Sequence, residues 1–144
     1  MLAAALAFVL MSADFTNNAR IPQWAAGGRP SCPGSNRSPE LHWTNPPPGT
    51  RSLALIVFDP DAPHGFYHWV LYDLAPTTRE LPTGAHVLGY NGPCPPPGPP
   101  HHYVFTLYAL DAATLTQGLD GPSLLARMRG HILATAQLVG MYGV

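Results

Sequence analysis

At 144 residues the chain is long enough to bury one core without metal or disulfide staples, and the length prior is for a single domain over residues 1–144. Charged residues make up only 10%, against about 25% in an average soluble domain, and a formal net charge of -1 gives no basic footprint for nucleic acid or an anionic membrane surface. The 18 Pro and 14 Gly exclude a mainly helical protein and suit short strands joined by stiff turns.

Residues 1–11 are almost wholly apolar but have no basic n-region, only a poor cleavage site around Ser12-Ala13, and too few residues to span a membrane. A first strand over 8–15 is expected, with 1–7 as an N-terminal extension or signal remnant. Cytoplasmic placement goes with the strand reading, and periplasmic or secreted placement with the signal reading. Residues 21–48 mix Gly, Pro, Ser and Asn with isolated apolar anchors at Ile21, Trp24, Leu41 and Trp43, an ordered excursion rather than a linker. Leu41-His42-Trp43 reads as a short strand, and His42 carries no chemistry.

Three apolar runs follow, at 53–58, 68–72 and 103–110, short, β-branched and aromatic, and punctuated by Pro and Gly; they are predicted strands. The first shows no polar alternation, so both faces of its sheet must be covered, which implies a layered β fold. If it lies antiparallel to the other two, its end neighbours their beginnings, and Asp59, Asp61, His68, His101 and Tyr103 converge on one rim. The Pro-rich stretch 89–100 could serve as a PxxP ligand, but as an internal segment delivering His101 to the rim it reads better as a stiff wall. Beyond Asp111, Pro122 at a first-turn position and Leu124, Leu125, Met128, Ile132, Leu133 and Ala136 at helical spacing, closed by Gly140, predict one amphipathic C-terminal helix. His131 beside that stripe reads as a structural histidine.

Cys32 and Cys94 have no zinc-type or redox spacing; free thiols are expected, a single bridge being the alternative for an exported protein. No Gly-x-Ser-x-Gly occurs, and no feature of the sequence activates Cys94 as a nucleophile beside His101. Asp59, Asp61, His64, His68, His101 and His102 include enough donors for zinc or iron, without any ligand-spacing motif. An anion pocket is the third reading: imidazole nitrogens and a tyrosine hydroxyl donate to a phosphate-like group while the aspartates orient the histidines. Neighbouring carboxylates raise histidine pKa values and burial lowers them, so the net direction is open at this level. The two aspartates can equally be turn formers.

Asp59-Pro60-Asp61-Ala62-Pro63, His68-Trp69-Val70, Gly92-Pro93-Cys94-Pro95-Pro96 and His101-His102-Tyr103, in that order, resemble the phosphatidylethanolamine-binding protein family, the Raf kinase inhibitor-like group, and its bacterial and archaeal members in particular. Ser38-Pro39-Glu40-Leu41-His42-Trp43 is similar to the group's Ser-Pro-x-Leu-x-Trp element, and Gly130-His131-Ile132-Leu133-Ala134 to its final helix. The resemblance implies a mainly β protein, a Greek-key β-sandwich with flanking helices. It also implies a small pocket for phosphate, phosphoethanolamine or similar anions, formed by Asp59, Asp61, His68, His101 and Tyr103 with Phe66, Pro93 and Cys94 on its walls. Non-enzymatic binding follows, with no cofactor and no metal, a regulated kinase or protease as partner, and a homodimer. Two rival readings stand beside it, a metal-dependent hydrolase using the same Asp/His cluster and a kinase- or protease-inhibitory protein with a vestigial pocket. The resemblance further implies a cis Ala62-Pro63 bond.

Three departures from the family pattern bear on the site. His102 stands in place of the usual Arg, so rim charge is expected from His68, His101 and His102. Pro99-Pro100 lengthens the approach to His101 by one residue. The 83–90 loop is shorter than the family's by about ten residues, which makes the outer wall the least transferable part.

Overall fold

The computed structural model describes residues 6–85, 89–113 and 117–144. The long apolar run becomes β3 (Ser52–Asp59), flanked antiparallel on one side by β4 (Phe66–Leu74) and on the other by β6 (His101–Leu110). Its side chains alternate between two cores: Leu53, Leu55 and Val57 enter the larger one. Ala54 and Ile56 enter a smaller one with Leu110, Leu124 and Met128. Burial on both faces is why the run carries no polar alternation.

Short strands β1 (Val9–Met11), β2 (Leu41–Thr44) and β5 (Glu80–Leu81) form a second sheet in the order β1-β2-β5. The larger sheet runs β4-β3-β6-β7, where β7 is Ile132–Tyr142. Leu10, Leu41, Trp43 and Leu81 of one sheet share a core with Leu55, Trp69, Phe105 and Leu138 of the other, which makes the pair a sandwich. After β4 the chain crosses to the small sheet for β5 and returns beside β3 as β6, a Greek-key connection. Among the described residues no helix is long and apolar enough to cross a membrane.

The opening strand is shorter than the 8–15 expected. It stops at Met11, and Phe15 instead plugs the core with its ring 5.5 Å from that of Phe105. Residues 1–5, most of the 1–7 extension, lie outside the described residues, as do 86–88 of the shortened loop.

The predicted C-terminal helix is half right. Helix α1 covers only Gly121–Met128, capped by Asp120, whose carboxylate accepts from the amide of Ser123 at 2.9 Å, and it buries Leu124 and Met128. At Gly130 the backbone turns left-handed (φ 80°), and Ile132 onward pairs with β6 through ten residues, from Ile132 opposite Leu110 to Tyr142 opposite His101. Residues 132–134, which the resemblance assigned to a final helix, therefore belong to a strand. Ala136, Leu138, Gly140 and Tyr142, every second residue, face the core, while Ile132 and Leu133 are each 42% exposed. The long antiparallel ladder outweighs the helical spacing, because it pairs the backbone and buries the alternate face at once.

The expectation of free thiols is also corrected. Cys32 and Cys94, 62 residues apart, form a disulfide with Cα atoms 5.4 Å apart. Their loops lie side by side, joined by Gly27 N–H to Pro93 O (3.0 Å) and Gly92 N–H to Asn36 Oδ1 (2.7 Å). Gly92 is required at this seam because a Cβ there would meet the Ala25 carbonyl.

Candidate functional site

The rim takes shape where β3 ends. Asp59 is only 3% exposed, and its carboxylate is fully engaged. Oδ1 accepts from the amides of Asp61 (2.8 Å) and Ala62 (3.2 Å), closing the β3–β4 turn, while Oδ2 accepts from His101 Nδ1 at 2.6 Å. The turn-forming and histidine-orienting roles thus reside in one group. Since Nδ1 of His101 is the donor, Nε2 is the ring nitrogen left for a ligand. The reversal is completed by left-handed His64 (φ 60°) and Gly65 (φ 72°), so a trans bond before Pro63 suffices; no cis peptide occurs among the described residues, which corrects the expectation for Ala62-Pro63.

One residue into the strand from Tyr67, His68 is buried, with its ring edge-on to Phe66 and Tyr103 at 4.7 and 5.0 Å between centroids. Its Nδ1 donates to the Asn91 carbonyl at 2.7 Å. Burial holds its pKa below the ordinary imidazole value, with the Asn91 hydrogen bond and the Asp59 charge opposing. His68 therefore favours the neutral form, in which Nε2 is an acceptor. The Tyr103 hydroxyl is kept protonated, its pKa pushed well above the ordinary phenol value by burial and then by Asp59 and Asp61.

These groups surround a cavity of about 200 Å³ lined by Asp59, Phe66, His68, Cys94, His101 and Tyr103, together with Arg29, Ala62, Pro63, Asn91, Gly92, Pro95 and Pro96. Six of the eight residues expected at the site thus line it. Asp61 does not: it lies outside, where Oδ2 accepts from both the backbone amide and Nδ1 of His102 at 2.7 Å. Those bonds, backbone first, hold its carboxyl below the usual carboxylate range. Pro93 is buried behind the wall, its carbonyl taken by Gly27.

The expectation that rim charge comes only from histidines is corrected by Arg29, which reaches the cavity from the loop stapled by Cys32–Cys94. No spacing relates Arg29 to the motifs, so only the loop pairing reveals it. Asn91, Pro95 and Pro96 lay in the segment read as a wall, the two prolines within the Gly92–Pro96 motif, but none of the three was assigned to the site. Among the described residues no group of three or more His, Cys, Asp or Glu is disposed to hold a metal ion. A wider hollow of about 500 Å³ beside Ser35, Asn36, Arg37, Ser38, Gly84 and Tyr90 has no carboxylate or imidazole among its described lining residues.

The sequence profile of the phosphatidylethanolamine-binding protein family matches residues 11–143. The UPF0098 protein of Methanothermobacter thermautotrophicus is 40% identical over 147 residues, spanning 89% of this chain and 93% of its own. The UPF0098 protein YbhB of Escherichia coli is 33% identical over 155 residues, spanning 92% and 98%. Among solved structures, E. coli YbcL, described as a member of the mammalian PEBP family, superposes with a TM-score of 0.88 at 27% identity over 95% of this chain and 98% of its own. The PEBP homologue CT736 of Chlamydia trachomatis gives 0.86 at 35% identity over 96% and 98%. A match from residue 11 to residue 143, carried on a frame of the same shape, means that the chain belongs to the phosphatidylethanolamine-binding protein family.

Proposed function

We propose that this protein is a non-enzymatic binder of phosphate-bearing small molecules or phospholipid headgroups, held between Asp59, His68, His101 and Tyr103. Ligand binding in general comes with family membership; the anionic character of the ligand is the reading that the cavity chemistry supports. The observation that carries it is the Tyr103 hydroxyl. Among the described residues three buried side-chain atoms, Ser38 Oγ, Trp69 Nε1 and Tyr103 Oη, have no partner, and of these only Tyr103 belongs to this cavity. A buried hydroxyl left unpaired costs about 1–3 kcal/mol, which a ligand oxygen accepting its hydrogen would recover.

The neutral His68 adds a complementary demand. Its Nε2 accepts, so the ligand should bring a hydrogen-bond donor as well as anionic oxygens. The P–OH of a monoanionic phosphate and the ammonium of phosphoethanolamine both meet that demand. At about 200 Å³ the cavity is below the roughly 300–1,000 Å³ of drug-sized sites, which suits a headgroup. Regulation of a kinase or protease partner and homodimer formation rest on likeness to the family. The Cys32–Cys94 bond favours the periplasmic or secreted alternative over the cytoplasm, because disulfides persist in oxidising compartments.

Calorimetric titration with inorganic phosphate and with phosphoethanolamine tests the reading. Saturable binding weakened by His68→Ala and by His101→Ala, but not by His42→Ala, is expected. Binding indifferent to both rim histidines removes the anion pocket and returns the metal-hydrolase reading, for which elemental analysis of untagged protein is the check.

A further inference from the structure

Arg29 occupies an unusual position for a surface arginine. It begins a tight turn in which Cys32 N–H donates to the Arg29 carbonyl at 2.8 Å and Gly28 N–H donates to the Cys32 carbonyl at 3.0 Å. Cys32 is fully buried and bonded to Cys94, itself on the cavity wall, so the turn carrying Arg29 is covalently fastened to the site. The guanidinium has no ion pair or hydrogen bond with any described residue, whereas Arg79 is satisfied by the carbonyls of Pro76 and Thr78 and Arg20 lies over the Tyr142 ring. His102, which stands where the family has an arginine, lies outside the cavity and pairs with Asp61. The one permanent cation among the described residues of the cavity is thus unpaired and shares that cavity with an unpaired buried hydroxyl.

We infer that Arg29 is the anion anchor of the cavity and that the Cys32–Cys94 bond holds it in place, so that affinity for a phosphate group depends on the redox state of that disulfide. The inference rests on the anion-pocket reading above and deepens it by adding a residue and a means of regulation. Reduction by a dithiol is balanced: its two thiol hydrogens, with two electrons, pass to the sulfurs of Cys32 and Cys94 as their bond breaks, and the dithiol closes to its own disulfide. The seam hydrogen bonds Gly27–Pro93 and Gly92–Asn36 do not involve the sulfurs and keep the loops in register. Reduction therefore frees the Arg29 turn without dismantling the wall. The anchor must then be ordered at each binding event, and that ordering weakens binding.

The test is calorimetry with inorganic phosphate on the oxidised protein, on the same protein after dithiol treatment, and on Arg29→Gln. Arg29→Gln, a change at an exposed position, should bind about ten- to hundredfold more weakly, the loss expected for a charge-assisted hydrogen bond. Arg37→Gln, outside this cavity, should bind as the native protein does. Reduction should weaken native binding about two- to tenfold and have no further effect on Arg29→Gln, with a paired Cys32→Ser, Cys94→Ser variant reproducing the reduced protein. Thermal unfolding of each sample confirms that the fold persists. Arg29→Gln binding as tightly as the native protein overturns the anchor, and reduction that leaves native affinity unchanged overturns the redox link. Native protein that does not bind, or that binds equally well with His101→Ala, overturns the anion-pocket reading and this inference with it.

Discussion

The Nδ1 atom of His101 lies 2.6 Å from Oδ2 of Asp59, while Oδ1 of the same carboxylate takes two backbone amides of the adjoining turn. One buried group therefore shapes the β3–β4 turn and determines which nitrogen of His101 meets a ligand. Asp59→Ala leaves three donors without an acceptor and should lower stability by about 2–4 kcal/mol in urea unfolding. Asp59→Asn should cost less, since the amide oxygen can still accept from the turn. Its NH₂ then faces His101 and forces the neutral ring to carry its proton on Nε2. Nitrogen-15 shifts of the His101 ring report this directly; a ring still protonated at Nδ1 in Asp59→Asn would contradict the assignment.

Tyr103 separates stability from binding. Its hydroxyl is buried and has no partner among the described residues, so Tyr103→Phe removes a desolvated group without breaking a hydrogen bond within the protein. Unfolding free energy should stay constant or rise by about 1 kcal/mol, while phosphate affinity falls about three- to thirtyfold. A stability loss of similar size to the binding loss would mean that the hydroxyl has a structural partner.

Burial lowers the pKa of His68, so this residue sets a pH dependence of known sign. In the unfolded chain it titrates near pH 6.5, roughly, and in the folded protein below that. Between the two values the unfolded state binds more protons. Stability is therefore complete above the unfolded value and declines as pH falls through the folded one, by at most about 1.4 kcal/mol per pH unit for one proton. His68→Phe should flatten that part of the profile. The difference in unfolding free energy between native and variant, followed from about pH 8 down to 5, isolates it from the other histidines. A difference that stays constant with pH would show that His68 titrates alike in both states.

The pair of Asp61 and His102 is the contrasting case. Its side chains are 39% and 50% exposed, and it lines no part of the cavity. Asp61→Ala should cost less than about 1 kcal/mol of stability and change phosphate affinity less than about twofold. His102→Arg should likewise leave affinity near native, because position 102 faces outward. A tenfold effect of either on binding would place position 61 or 102 at the ligand after all.

How much of this was legible follows from the range of the interactions involved. The amino-acid order by itself determined the central strands and their burial: the run through Leu53, Leu55 and Val57 has no polar alternation and lies between two covered faces, whereas its antiparallel pairing was a condition that the folded chain meets. Given that pairing, Asp59, His68, His101 and Tyr103 share a rim as expected, because antiparallel neighbours bring the end of one strand to the start of the next, while Asp61, expected with them, does not. The strand pattern of Ala136, Leu138, Gly140 and Tyr142 was also present. It was overlaid by helical spacing at Leu124, Leu125, Met128 and Ile132, and only the ladder with β6 decided between them.

Only the tertiary structure decided the rest of the site. Asp61 and Asp59 are two residues apart and would share a face in a continuing strand, yet the turn that Asp59 caps swings Asp61 outward to His102. The Cys32–Cys94 bond and the entry of Arg29 depend on two distant loops lying flank to flank. Periodicity reports which way neighbouring side chains point along one element. It carries no record of which remote loop will cover that element, so the wall, the staple and the cation of this cavity appear only when the chain is folded.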